Sequence, residues 1–246
     1  MPDTIAFEQI EFSNHNFMKT LGLIGGLSWF STTVYYKTIN QLINQRLGGS
    51  HSARLLLYSI DFDDFDALQK KGDWQQIEVM ISDIAMRLEN AGAECIVMCT
   101  NTPHLVADTV SQKIKIPLIH IAEETAKEIA NQGITKAGLL GTKFTMENSF
   151  FKDRLLKYGI ESLIPDDADR DFIHAAIFNE LTKGIFTAET KQRFLYIITK
   201  LQINGAQGII FGCTEIALLI TQSDCDVTIF DTTAIHSKAA VDFALQ

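Results

Sequence analysis

Ala91-Gly92-Ala93-Glu94-Cys95-Ile96-Val97-Met98-Cys99-Thr100-Asn101-Thr102 lies without gaps on Asn204-Gly205-Ala206-Gln207-Gly208-Ile209-Ile210-Phe211-Gly212-Cys213-Thr214-Glu215. Each stretch has a Gly that stops a helix, an apolar run suited to a buried strand, and an abrupt change to Cys and Thr where the strand should end. A second echo precedes each copy: Leu21-Gly22-Leu23-Ile24-Gly25-Gly26 and Ala137-Gly138-Leu139-Leu140-Gly141-Thr142, both apolar strands closing on Gly. The repetition predicts two similar α/β halves that face each other across one cleft, with thiol and hydroxyl side chains on either side.

Outward from these strands, apolar runs alternate with helical patterns, which favours parallel sheets flanked by helices. Strands are expected at 21–24, 54–60, 95–98, 117–121, 137–140, 160–164, 208–211 and 227–230. Helices are expected at 31–46, 74–90, 123–130, 147–157, 169–204 with an interruption at Gly184, and 235–245. The fold class is therefore α/β, as two pseudo-symmetric domains, each a mostly parallel sheet flanked by helices, with the active site in the cleft between them. The expected division is an N-terminal extension 1–17, a first domain 18–120 plus 231–246, and a second domain 121–230. No linker rich in Pro, Gly or Ser marks the boundary.

Composition narrows the function classes. The 246 residues are 46% hydrophobic, enough for two modest cores, and carry a net charge of −9. Basic residues are scattered singly, so no phosphate footprint is offered and a nucleic-acid partner is not expected. No apolar run approaches the roughly 20 residues needed to cross a bilayer, and residues 1–17 lack the pattern of a signal peptide. A cytoplasmic protein with no membrane partner is the expectation. The four cysteines then read as thiols and not as a disulfide framework. No Cys-x-x-Cys occurs and the histidines do not fall at ligand spacing, so no metal is expected. Gly22-x-x-Gly25-Gly26 departs from the spacing of a dinucleotide loop, and close backbone approach to a small ligand explains its glycines as well.

In open α/β sheets ligands sit beyond the carboxyl ends of the strands, where all four echoed segments place their polar residues. Cys213 is the strongest local signal: a thiol at a strand's end, just before a helix, lies near backbone N–H groups and a positive helix dipole that favour thiolate. Cys95 and Cys225 lack that context and read as structural.

Five ordered segments carry a resemblance: Gly22-Leu23-Ile24-Gly25-Gly26-Leu27-Ser28-Trp29, Cys99-Thr100-Asn101-Thr102-Pro103-His104, Gly138-Leu139-Leu140-Gly141-Thr142, Gly212-Cys213-Thr214-Glu215 and Phe230-Asp231-Thr232-Thr233-Ala234-Ile235-His236. From Met18 to the C-terminus the chain resembles the aspartate/glutamate racemase family, in its aspartate racemase branch. The resemblance implies an amino-acid racemase that needs no cofactor, pyridoxal phosphate included. Two opposed acid/base residues would work on the α-carbon of an amino acid held between the domains. A homodimer is expected, since proteins of this kind commonly form dimers. Inverting a stereocentre requires a proton taken from one face and another supplied to the opposite face, so two groups must flank the α-carbon. The carbanion's carboxylate needs preorganised donors, and Asn101, Thr102, Thr142 and Thr214 are the candidates, with Ser28, Ser59 and Glu215 as further substrate contacts.

The chain departs from the family at one point. The family's first motif reads Cys-Asn-Thr, whereas this chain has Cys99-Thr100-Asn101-Thr102, so Thr100 occupies the catalytic Cys position. The internal repeat independently pairs Thr100 with Cys213 and Cys99 with Gly212. A one-residue shift in extended chain turns a side chain to the other face, so Cys99 should point away unless the strand end bulges. Catalytic candidates are thus Cys213, Thr100 and Cys99, with a one-sided enzyme working mainly from Cys213 as one outcome. A noncatalytic amino-acid-binding protein on the same scaffold is the alternative, as is another activity of the wider superfamily, such as a hydantoin racemase or a decarboxylase, whose pocket would lack a group for a side-chain carboxylate. Arg54, Lys183 and segment 59–61 are candidate contacts for the substrate's distal group. His104 and His236 read as structural hydrogen-bonding or packing residues at least as readily as catalytic ones.

Overall fold

The computed structural model describes residues 18–246, so the expectation of an N-terminal extension at 1–17 lies outside the described residues. The first sheet contains β1 (Leu21–Gly25), β2 (Leu55–Ser59), β3 (Cys95–Met98) and β4 (Leu118–Ile119) in the order β2-β1-β3-β4, all parallel. Its helices are α1 (Trp29–Leu47), α2 (Phe62–Lys71), α3 (Trp74–Asn90) and α4 (Ala107–Ser111), whereas α5 (Ile121–Asn131) joins the core of the second sheet through Ala122, Ala126 and Ile129. The second sheet repeats the topology with β5 (Lys136–Gly141), β6 (Glu161–Leu163), β7 (Gly208–Gly212) and β8 (Thr228–Asp231) in the order β6-β5-β7-β8, again parallel. With it come α6 (Lys143–Glu147), α7 (Ser149–Lys157), α8 (Asp167–Asn179), α9 (Ala188–Ile203) and α10 (Ile216–Leu219), and the described chain closes with α11 (Thr232–Ala244). The two echoed segments thus become equivalent inner strands, β3 and β7, of two sheets with one topology.

Local chemistry explains where the helical expectations shift. Between the expected strand 54–60 and helix 74–90 lies α2: Asp61 caps its start by accepting the N–H of Asp63, and Gly72 ends it in the left-handed region. The expected helix at 147–157 begins earlier and is two helices, because Asn148 is extended (φ −74°, ψ 156°) between α6 and α7. The stretch 169–204 breaks as expected around Gly184 (φ 73°), after one 3-10 turn at Leu181–Lys183. The last helix starts at Thr232 and not at 235, since the Asp231 carboxylate accepts the N–H groups of Thr233 and Ala234.

The period-2 alternation of the inner strands sorts their side chains between two cores. Ile24, Ile96 and Met98 pack with Phe65, Ile77 and Ile81 beneath α2 and α3. Leu21, Leu23, Cys95, Val97 and Cys99 pack on the opposite face with Tyr35 and Ile39 of α1 and with Ala240, Val241 and Ala244 of α11. The C-terminal helix therefore returns to the first sheet, and Lys19 N–H donates to the Ala244 carbonyl at 2.9 Å.

His236 fastens this arrangement. The Ile119 carbonyl can only accept, so His236 Nε2 carries the hydrogen (2.8 Å), and Nδ1 accepts from the Tyr35 hydroxyl (2.8 Å). Its ring lies 5.4 Å from that of His104, which lies 4.8 Å from that of His120. Burial holds all three imidazoles neutral: His236 is lowered to about 4, His120 to about 3, and His104 falls well below the ordinary value. The unfolded chain regains histidines that titrate near 6.5, so below that pH it binds more protons than the folded chain. Stability is then fully present above about pH 6.5 and falls as the pH drops toward the folded values, by up to about 1.4 kcal/mol per pH unit for each histidine. Urea midpoints measured from pH 7.5 to 5 should fall steadily, and less steeply in His236→Gln. A flat profile in the wild type would contradict this account.

Candidate active site

The parallel strands of both sheets end on the same cavity. From β1 come Leu27 and Ser28, from β3 Thr100 and Thr102, from β5 Thr142, and from β7 Cys213 and Glu215. Helix α2 adds Phe62, Phe65 and Gln69, while α8 and the following turn add Ile177, Phe178 and Thr182. Ser31 of α1 completes the wall. Two glycines let the backbones come this close. Gly26 turns at φ 82°, where a Cβ would lie 2.1 Å from the Ile60 carbonyl oxygen, and a Cβ on Gly212 would meet Thr145 Cγ2 at 2.8 Å. A wider groove of about 580 Å³ runs between α1, α5 and α11, but none of the sequence-derived site residues lines it.

Cys213 opens partly onto the cavity, and its thiol donates to Glu215 Oε2 at 3.0 Å. The other carboxylate oxygen accepts from the Ser28 hydroxyl at 3.2 Å and lies 3.5 Å from that of Ser31. Ser31 also reaches Thr214 Oγ1 at 3.0 Å, which lies 3.1 Å from Thr233 Oγ1. Ser28, which caps α1, and Ser31 in its first turn thus hold the carboxylate that faces the thiol. The thiol is not depressed toward thiolate as the sequence suggested. Burial first, and the adjacent Glu215 charge second, push it well above the ordinary thiol range. The helix that follows is only the four residues Ile216–Leu219, too short to supply much compensating dipole. Deprotonating Cys213 therefore calls for a proton acceptor, and Glu215 stands at hydrogen-bond distance.

Thr100 and Cys99 part company at the end of β3. Cys99 continues the Cys95/Val97 face into the core, is fully buried, and has its Sγ 3.9 Å from the Val97 carbonyl; burial raises its thiol. It does not reach the cavity, whereas Thr100 does. No strand bulge brings the thiol round: Cys99 N–H still bonds the Ile24 carbonyl at 2.9 Å, in step with the ladder.

The other sequence-derived residues divide. Ser28, Thr102, Thr142 and Glu215 line the cavity, although the Glu215 carboxylate is engaged by Cys213 and Ser28. Asn101 and Thr214 are buried behind its wall. Asn101 Nδ2 donates to Thr232 Oγ1 at 3.2 Å, linking the end of β3 to the start of α11, and its Oδ1 has no partner among the described residues. Ser59 is exposed at the end of β2, and Arg54 and Lys183 are exposed as well; none of the three lines the cavity. His104 sits behind Thr100, its Nδ1–H donating to the Thr100 carbonyl at 2.9 Å.

Sequence reasoning missed the apolar wall. Phe62, Phe65 and Gln69 recur at helical spacing (i, i+3, i+7), a stripe legible once residues 62–71 are read as a helix. Ile177 and Phe178 carry no comparable signal, because a helical apolar pair reads as core. Among the described residues no cluster of His, Cys, Asp and Glu suited to a metal is present, and no helix is long and apolar enough to cross a membrane.

Residues 24–240 match the family described as Asp/Glu/Hydantoin racemase. A crystal structure from Yersinia pestis, ascribed to the Asp/Glu racemases, superimposes with a TM-score of 0.89 at 52% identity, covering 93% of this chain and 100% of that one. The structure of an aspartate racemase homologue from Pyrococcus horikoshii gives 0.83 at 34% identity over 93% and 100% of the two chains. The broad specificity amino-acid racemase RacX of Bacillus subtilis is 24% identical over 90% of this chain and 96% of its own length.

Proposed function

Since the chain belongs to the Asp/Glu/hydantoin racemase family, we propose that it is a cofactor-independent amino-acid racemase whose proton chemistry is concentrated on the Cys213 face. The observation that carries this reading is the pairing at the cavity: the two echo-related positions, Thr100 and Cys213, both line it, and only Cys213 has a carboxylate in contact.

In this mechanism Glu215 accepts the thiol proton of Cys213 as the thiolate removes the α-proton of the bound amino acid. The C–H bonding pair stays on the α-carbon, and the proton moves to sulfur. The resulting carbanion is spread into the substrate carboxylate, for which the hydroxyls of Thr102 and Thr142 are the donors at hand. A proton delivered from the Thr100 side inverts the centre, after which Glu215 releases to solvent the proton it took and solvent replaces the one given up on the Thr100 side; a proton returned from Cys213 restores the original centre and lets the thiol recover its own from Glu215. Among the described residues no carboxylate or imidazole hydrogen-bonds the Thr100 hydroxyl, and a hydroxyl ionises far less readily than a thiol, so without a neighbouring base it is a poorer proton donor and almost no alkoxide is present near neutral pH. Proton transfer on that face is therefore the slower event, so the enantiomer whose α-hydrogen faces Cys213 should exchange faster than the other.

Deuterium uptake from heavy water, followed separately for L and D forms of a panel of amino acids, tests the reading. Unequal exchange from the two enantiomers is expected, and absence of exchange from every amino acid would defeat the assignment and leave a binding protein or another activity of the superfamily. The same assay tests the register. Cys99→Ala should keep most of the activity, Thr100→Ala should slow conversion between enantiomers, and Thr100→Cys should speed the slower direction. Selective loss of exchange from one enantiomer in Cys99→Ala alone would put the second thiol back into the mechanism.

A further inference from the structure

We propose, on the basis of the racemase reading above, that the substrate's side chain is uncharged and lies between α2 and α8, with the Gln69 amide as its polar contact. Among the described residues no Lys, Arg or His lines the cavity. Arg54 and Lys183, the two cations considered for a distal carboxylate, are exposed and outside the wall.

The wall away from the reacting residues is instead apolar and aromatic: Phe62 and Phe65, whose rings stack at 6.4 Å, face the cavity from α2, and Ile177 and Phe178 from α8. A side-chain carboxylate placed there loses hydration without gaining a counter-charge, in a cavity that already holds the Glu215 carboxylate. Burial of such an unpaired charge is strongly unfavourable. The corresponding amide, hydroxyl or hydrocarbon carries no such penalty.

Gln69 shows which neutral groups fit best. It lies on the same face of α2 as Phe62 and Phe65, is only 7% exposed, and its side-chain amide makes no hydrogen bond to another described residue. A nearly buried amide left open toward a cavity presents two N–H donors and one carbonyl acceptor. That set is complementary to a side chain ending in a primary amide or a hydroxyl.

The test compares isosteric pairs on the wild-type enzyme. Values of kcat/KM for α-proton exchange are measured for glutamine against glutamate and for asparagine against aspartate, so that only the charge of the side chain changes. The expected result is at least tenfold faster exchange from the amide of at least one pair. Gln69→Leu should remove the advantage of glutamine over methionine, and Gln69→Lys should move the preference toward glutamate. Equal or faster exchange from both acids in the wild type overturns the inference while leaving the racemase assignment standing. An enzyme that exchanges no amino acid overturns the racemase assignment itself.

Discussion

Cys213→Ala should abolish α-proton exchange from the faster-exchanging enantiomer and reduce racemisation by roughly 10²–10⁴-fold, the range that a positioned acid/base group contributes. The variant should remain folded, because Cys213 is partly open to the cavity and the cores of both sheets are built from other residues. Circular dichroism and urea midpoints close to wild type, together with lost exchange, are the expected pair of results. Wild-type turnover by the folded variant would remove Cys213 from the mechanism. Cys213→Ser is the sharper comparison, since it keeps a donor to Glu215 but replaces a thiol with a much less acidic hydroxyl. It should fall nearly as far as the alanine variant.

The second large effect is expected at Glu215. Glu215→Gln keeps the size and the hydrogen-bonding reach of the side chain but cannot take the thiol proton. Racemisation at neutral pH should drop by about two orders of magnitude, again within the range for a lost general base. The thiol itself should move the other way. In the wild type its value is raised by burial and then by the Glu215 charge, so removing the charge lowers it and thiolate forms at lower pH. Alkylation of Cys213 by iodoacetamide, measured against pH in a Cys225→Ser background, should therefore show a lower midpoint in Glu215→Gln although the enzyme is slower. The residual activity should rise with pH, because solvent must now accept the proton that Glu215 took. An unchanged alkylation midpoint with unchanged turnover would show that the Sγ to Oε2 contact at 3.0 Å has no part in the reaction.

The two effects rest on one asymmetry. Cys213 and Thr100 are related by the repeat, yet the residue two positions beyond Cys213 is a carboxylate, and the residue two beyond Thr100 is Thr102. The halves share a backbone and differ in the group that could accept a proton. This difference was visible in the aligned segments, but its meaning was not: Glu215 read as a substrate contact until the fold turned its carboxylate back onto the thiol and supplied Ser28 and Ser31, from the cap and first turn of α1, to hold it.

The internal repeat, read with the periodicity of its segments, pointed to the doubled α/β plan, to the inner strands β3 and β7, and to the register that pairs Thr100 and not Cys99 with Cys213. These features depend on the alternation of side chains along a strand and on where glycine stops a helix, which neighbouring residues decide among themselves. The α2 and α8 wall, the burial that raises Cys213, and the three neutral histidines behind Thr100 were settled only in three dimensions. Each depends on segments distant in the chain: Gln69 lines the same cavity as Ile177 and Phe178, and His236 meets Tyr35 and Ile119. Local preference places a side chain on a face of its own strand or helix. What meets that face, and whether water reaches it, is set by how the two sheets and their helices pack, and on that packing depend both the acidity of the thiol and the charge the cavity tolerates.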